Sequence, residues 1–256
     1  MFKELVKTQQ TYTLFFGNFW RMLLISLVLV GFGILFGALA GILTVTVSAL
    51  MLVLFVPMGI FLIGTWWGMQ IGMVSNVLTQ QKLFISETFR AVRKRVFPIL
   101  GMMSWTFLIF ALLMILLSVP AGIVLGGIFG FTPEASAAPS MLEMIPFLFV
   151  SIIAGVILCH YLFGWYFVVF DEMKVFEALE EAKKLVQGRR LAIITGLVLA
   201  TVPSWFSALF LGTLSTTYPW AQGLDGLVSL IFMNLSVVYC LLHYWEYKQV
   251  QQPEGA

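Results

Sequence analysis

The chain has 256 residues, 61% of them hydrophobic and only 10% charged, with 14 Lys and Arg against 12 Asp and Glu for a net charge of +2. A soluble domain is nearer a quarter charged, so this composition excludes a water-exposed surface over most of the chain. Apolar runs are separated by at most about 25 residues, too few for a separate globular unit, so one transmembrane domain over 1–256 with no appended catalytic domain is expected.

The first 21 residues carry charges and lead into an apolar run without a small-residue cleavage site, which reads as an uncleaved first span. Residues 22–77 contain no charge. As one helix they would be about 80 Å long against a hydrocarbon core of about 30 Å, so the chain must turn back, and its weakest apolar point is LTVTVS at 43–48. Spans are therefore expected at 22–42 and 49–76, then at 96–128, 144–170, 191–211 and 223–244. With those boundaries all 14 Lys and Arg, from Lys3 to Lys248, fall on one side, and the opposite loops near 43–48, 129–143 and 212–222 have none. The positive-inside rule makes the basic side cytoplasmic and puts both termini there. The fold class is all-α, a polytopic transmembrane helical bundle of six spans.

Two connections on the basic side, 82–95 and 172–188, look like copies of one device. KLFISETFRAVRK and EMKVFEALEEAKK align without gaps from Lys82 and Glu172, matching Glu87 with Glu177, Val92 with Ala182 and Arg93-Lys94 with Lys183-Lys184. Ile85, Phe89, Val92 and Val96 share one helical face in the first, as do Phe176, Leu179, Ala182 and Val186 in the second, opposite basic residues. Both are expected to be amphipathic elbow helices, docked on the headgroup layer or on the protein's own spans. Asp171 is the expected N-cap of the second. TYTLFFGNFWR at 11–21 reads as a third, degenerate copy, giving an elbow and two spans three times over.

Glycines recur every fourth residue at Gly33, Gly37 and Gly41, at Gly64, Gly68 and Gly72, and at Gly122, Gly126 and Gly130. Such stripes let another backbone approach, in the same chain or in an oligomer. Pro57 and Pro203 lie inside spans two and five, with Thr201 and Ser204 placed to satisfy backbone groups freed by the second.

No Asp, Glu, Lys or Arg falls in the middle third of an expected span, which argues against a charge-coupled pump. Gln70, His160 and Asn234 are the polar side chains available to a membrane cavity, with Asn76, Cys159, Cys240 and His243 nearby. Cys159-His160 and Cys240-x-x-His243 have ligand types suited to zinc or copper, but adjacent residues diverge by about 100° on a helix and the two pairs differ in depth. HExxH, GxSxG and Walker sequences are absent. The expectation is no catalytic residue, no cofactor, no bound metal and no enzyme. Asp171, Glu172 and His160 are the nearest acid-base set for a lipid-directed enzyme, about three turns apart.

The segment FDEMKVFEALEEAKKLVQGRRLAIITGL resembles bacterial six-span inner-membrane proteins related to the membrane domain of glycerophosphodiester phosphodiesterase. Glu177, Ala178 and Leu179 match that group's elbow and Gly188 its break before the next span, whereas Ala182 stands where serine is frequent. The resemblance implies a multi-pass protein of the bacterial cytoplasmic membrane connected with envelope or lipid physiology, and it carries over no catalytic residue. The cytoplasmic elbows also look like those of sulfate-channel type permeases, without an anion-binding signature. The expected role is a non-enzymatic scaffold or modulator of envelope or lipid-related components, the alternative a small-solute channel or permease. Expected partners are the lipid bilayer, anionic lipids through the basic face, and a protein partner or further copies of the chain; nucleic acid is not expected.

Overall fold

The computed structural model describes residues 2–46, 52–80, 82, 84–129, 141–215, 218 and 220–251. Among them there is no strand, and the chain runs through α1 (Phe2–Gly17), α2 (Phe19–Thr46), α3 (Leu52–Gln80), α4 (Ile85–Lys94), α5 (Val96–Phe129), α6 (Met141–Phe170), α7 (Val175–Val186), α8 (Arg190–Ser215) and α9 (Trp220–Gln251). α2, α3, α5, α6, α8 and α9 have 26 to 34 residues each, about 39 to 51 Å of helix. They coincide with the six segments expected from sequence. Val96–Leu113, Ile153–Phe170, Arg190–Leu214 and Leu224–Gln251 are long and apolar enough to cross a membrane, and α1 with Phe19–Ile34, bent by 78°, makes a fifth candidate. Residues 43–46 of LTVTVS continue α2, so the helix runs past the expected start of the turn-back, and 47–51 lie outside the described residues.

The helix order is a short helix and two long ones, three times. The second long helices, α3, α6 and α9, each touch the other two and form an inner triangle. α2, α5 and α8 pack against their own partners and against the neighbouring repeat, through α3 with α5, α6 with α8 and α9 with α2. The ring thus closes on itself. Burial follows this layering: 61% of the α6 window and 50% of the α9 window lie inside the protein, against 17% for α5 and 22% for α8. Phe107, Leu116, Phe206, Leu209 and Phe210 on the outer helices are exposed, an apolar belt too extensive for a water-facing surface.

The short helices close the ring at one end. α4 lies on α3, α7 on α6, and α1 on α8 and α9, at the far end of the sequence. The third copy is therefore longer and earlier than 11–21: the helix is 2–17, and the chain bends at Asn18, which donates from Nδ2 to the Leu14 carbonyl at 3.0 Å. The equivalent bends follow Lys94 and Val186, where Arg95 N–H donates to the Val92 carbonyl and Gly188 takes φ +71 in the left-handed region that glycine tolerates. Lys174, not Asp171, caps α7, its N–H donating to Glu177 Oε2 at 3.3 Å; Asp171 lies too far back and pairs elsewhere.

The expected inner faces are met in part: Val92 and Val96 are buried, and so are Leu179, Ala182 and Val186. Thr88 and Val92 are buried on α4 and Ala178 and Ala182 on α7, positions that correspond in the alignment above. Ile85, Phe89 and Phe176 stay on the outside. Glycines on α3 and α6 let side chains approach closely: a Cβ at Gly72 would lie 2.6 Å from Thr88 Cγ2, and one at Gly164 2.6 Å from Met102 Cε and 3.3 Å from Leu179 Cδ2. Gly64 and Gly68 likewise receive Ile99 and Val92, so the α3 stripe is an internal seam. Gly33 is exposed with open space where its Cβ would be. The surroundings of Gly37, Gly41, Gly122, Gly126, Gly130 and Pro57 lie outside the described residues.

Candidate functional site

Hydroxyls within the long helices are satisfied locally. Ser26 donates to the Met22 carbonyl at 3.1 Å, Thr65 to Phe61 at 2.8 Å and Thr106 to Met102 at 2.7 Å, the i to i−4 pattern that lets Ser and Thr sit among apolar groups. Amides cannot do this alone, and two of the expected cavity residues find one another. Gln70 on α3 and Asn234 on α9 are fully buried, and Gln70 Nε2 donates to Asn234 Oδ1 at 2.8 Å. Asn234 Nδ2 in turn donates to Ser26 Oγ at 3.1 Å and to the Met22 carbonyl at 3.3 Å on α2. Gln70 Oε1 has no partner.

His160 is not joined to that pair by any described hydrogen bond. It is half-buried on α6 beside Tyr161, ring centroids 4.2 Å apart, with Nδ1 unpartnered. The inner triangle is also joined by aromatic contacts, Trp67 of α3 with Trp165 of α6 at 6.5 Å and Phe163 of α6 with His243 of α9 at 6.0 Å, and by the Tyr166 hydroxyl of α6, which donates to the Val237 carbonyl of α9 at 3.3 Å.

The densest polar cluster joins α1 to α9 and escapes a reading of the spans alone. Glu4 is buried on the inner face of α1, in register with Thr8, Thr11 and Phe15. Its Oε2 accepts from the Tyr239 hydroxyl at 2.6 Å and lies 2.9 Å from His243 Nε2. Lys7 Nζ is 2.8 Å from His243 Nδ1 and pairs with Glu246, which Arg189 approaches at 4.0 Å. An ammonium only donates, so Nδ1 accepts and the imidazole carries its proton on Nε2, facing the carboxylate. Tyr239 reaches Glu4 only because residue 196 is glycine: a Cβ there would lie 2.1 Å from the tyrosine hydroxyl. Local sequence carried little signal for it, because the buried stripe Glu4, Thr8, Thr11 and Phe15 is mostly polar.

Tyr12, one turn on, explains how Pro203 is tolerated. Proline at 203 has no N–H for the Leu199 carbonyl four residues back, and the Tyr12 hydroxyl donates to that carbonyl at 2.5 Å. Thr201 bonds the Leu197 and Val198 carbonyls instead, so the freed group is satisfied from α1 rather than from Thr201 or Ser204 as expected.

Three further acids near the short helices are paired: Asp171 with Lys248 at 3.0 Å, Glu172 with Arg95, and Glu181 with Lys184 at 2.5 Å and the Tyr247 hydroxyl at 2.8 Å. Hydrogen bonds from Lys184 and Tyr247 outweigh a little desolvation and hold the Glu181 carboxyl below its ordinary pKa. Cys159 and Cys240 are buried free thiols, and among the described residues no three His, Cys, Asp or Glu converge as metal ligands. The arrangement defines an all-helical protein with several helices suited to a multi-pass membrane protein. The chain matches no family model, no curated protein and no solved structure.

Proposed function

We propose that the chain is a six-span, non-enzymatic protein of the bacterial cytoplasmic membrane that scaffolds or modulates envelope or lipid-related components, with its short helices on the cytoplasmic face. One observation carries the choice between scaffold and conduit: the inner helices meet through Gln70 and Asn234, Trp67 and Trp165, and Phe163 and His243. Polar groups there bond to one another instead of lining a passage, which suits a rigid platform. The 14 Lys and Arg are all on the short helices, at the connections beside them or near the adjoining ends of long ones, as the positive-inside rule requires of a cytoplasmic layer.

Purification of the full chain in mild detergent is expected to retain a stoichiometric protein partner or a specific lipid. A bare monomer that carries small solutes across vesicles would overturn the proposal. The permease alternative draws on one feature, the unpartnered Gln70 Oε1 on the inner triangle, and predicts that Gln70→Leu abolishes such flux.

A further inference from the structure

Between the first and second repeats the ring is incompletely filled. A cavity of about 230 Å³ is lined by Leu29 and Phe32 of α2, Leu62, Trp66 and Met69 of α3, and, from the α4 to α5 corner, Phe89 and Arg93. Its walls are almost wholly apolar, yet a guanidinium stands among them. It is larger than the roughly 150 Å³ apolar cavity that admits benzene, so it has room for a stretch of hydrocarbon.

The corresponding position of the second elbow is filled by protein: Phe89 aligns with Leu179, which is buried against Gly164. Phe89 instead lines this cavity. Arg93 is exposed and forms no ion pair among the described residues, whereas Arg95 two residues on is matched by Glu172. Arg90 and Lys94 flank it on the same helix, with Glu87 the one acid there. An uncompensated cation beside an apolar slot matches one class of molecule in a bilayer, an anionic phospholipid.

We infer that the groove between α2, α3 and the α4 to α5 corner holds one anionic phospholipid, an acyl chain against Leu62, Trp66 and Met69 and the phosphate on Arg93. A lipid there would complete the packing that Leu179 supplies against Gly164 where α7 meets α6. The inference rests on the proposed membrane setting and orientation, and names the lipid partner left open above.

The test is native mass spectrometry of the full chain, released from nanodiscs containing phosphatidylglycerol and phosphatidylcholine with identical acyl chains. One phosphatidylglycerol should be retained per chain in preference to phosphatidylcholine. Arg93→Gln should lower that retention by at least about fivefold, through loss of the direct guanidinium to phosphate contact that Arg90 does not make. Leu62→Trp, which fills the slot and keeps the charge, should lower it as well, while Arg90→Gln leaves it within about twofold. Circular dichroism and gel filtration of each variant check that the bundle is intact. Equal retention of the two lipids, no retained lipid, or unchanged retention in both folded groove variants would overturn the inference. A retained lipid on a chain that conducts solute would instead sink the scaffold reading and leave the groove standing.

Discussion

Gly196→Ala should destabilise this protein far more than a single methyl suggests. The new Cβ would lie 2.1 Å from the Tyr239 hydroxyl, 2.8 Å from its Cζ and 3.2 Å from Cε2. Tyr239 is fully buried and held by Glu4 at 2.6 Å and the Ile193 carbonyl at 3.2 Å, so it cannot swing aside without breaking those bonds. Overpacking costs about 1–3 kcal/mol, and a hydrogen bond to a charged acceptor is worth about 1.5–3 kcal/mol; the sum is about 2.5–6 kcal/mol. At a few degrees per kcal/mol for a chain of this size, the midpoint should fall by on the order of 10 °C. A thiol-reactive fluorophore in a thermal ramp of detergent-solubilised protein reports this directly, because Cys159 and Cys240 are buried until the bundle opens. Tyr239→Phe removes the atom at 2.1 Å as well as the bond, so the double variant should be less destabilised than the sum of the singles by at least about 1 kcal/mol. Strictly additive penalties would refute the contact and with it the docking of α1.

Gln70→Leu and Asn234→Leu should each cost about 1–3 kcal/mol by stranding a buried partner, and the double replacement should recover much of the loss, read in the same thermal assay. Tyr12→Phe should cost about 1 kcal/mol with Pro203 present and almost nothing with Pro203→Ala, where residue 203 regains the amide for Leu199. Glu181 is held below its ordinary pKa, so its tie to Tyr247 is intact above the unfolded carboxyl value and is lost as pH falls through the lower folded one; amide exchange at the end of α9 should quicken across that acidic window and stay flat in Glu181→Gln. Cysteines placed by Arg93→Cys and Lys184→Cys should resist an impermeant thiol reagent on intact cells and react after permeabilisation.

The three-part plan was legible because charge and hydropathy alternate strictly: basic segments near 82–95 and 172–188 forecast α4 and α7, and apolar runs forecast the six long helices. The first short helix was harder to see, because its inner face is Glu4, Thr8, Thr11 and Phe15 and lacks the apolar stripe that marks amphipathicity. Which side of α4 turns inward was partly hidden, since hydrophobicity favours Phe89 whereas close approach to Gly72 selects Thr88, while on α7 only Phe176 departs from the expected face. Gln70 and Asn234 are 164 positions apart, and nothing local in either segment encodes that they bond. His160 attracted notice by residue type alone, which says nothing about where a ring points.

The distribution of polar bonds bears on what such a ring can do. Asn76 to Thr88, Glu181 to Tyr247, Asp171 to Lys248, Arg95 to Glu172 and the Glu4 cluster all join short helices, or the corners beside them, to helix ends at the basic face. Deeper in, Gln70 to Asn234 is the one side-chain amide pair described, beside single bonds to backbone carbonyls such as Tyr166 to Val237 and Trp66 to Leu29, and the bulk of the contact is dispersion between large apolar groups. α1 is the element that closes the ring from outside the local sequence, and it does so with buried charge on Glu4. Opening a route along the axis would require separating the inner triangle while the base stays tied, or breaking several charge-assisted bonds at about 1.5–3 kcal/mol each. Bonds of that kind, clustered at one face, are what the proposed platform requires, and the proposal fails if the inner helices separate while the base stays tied.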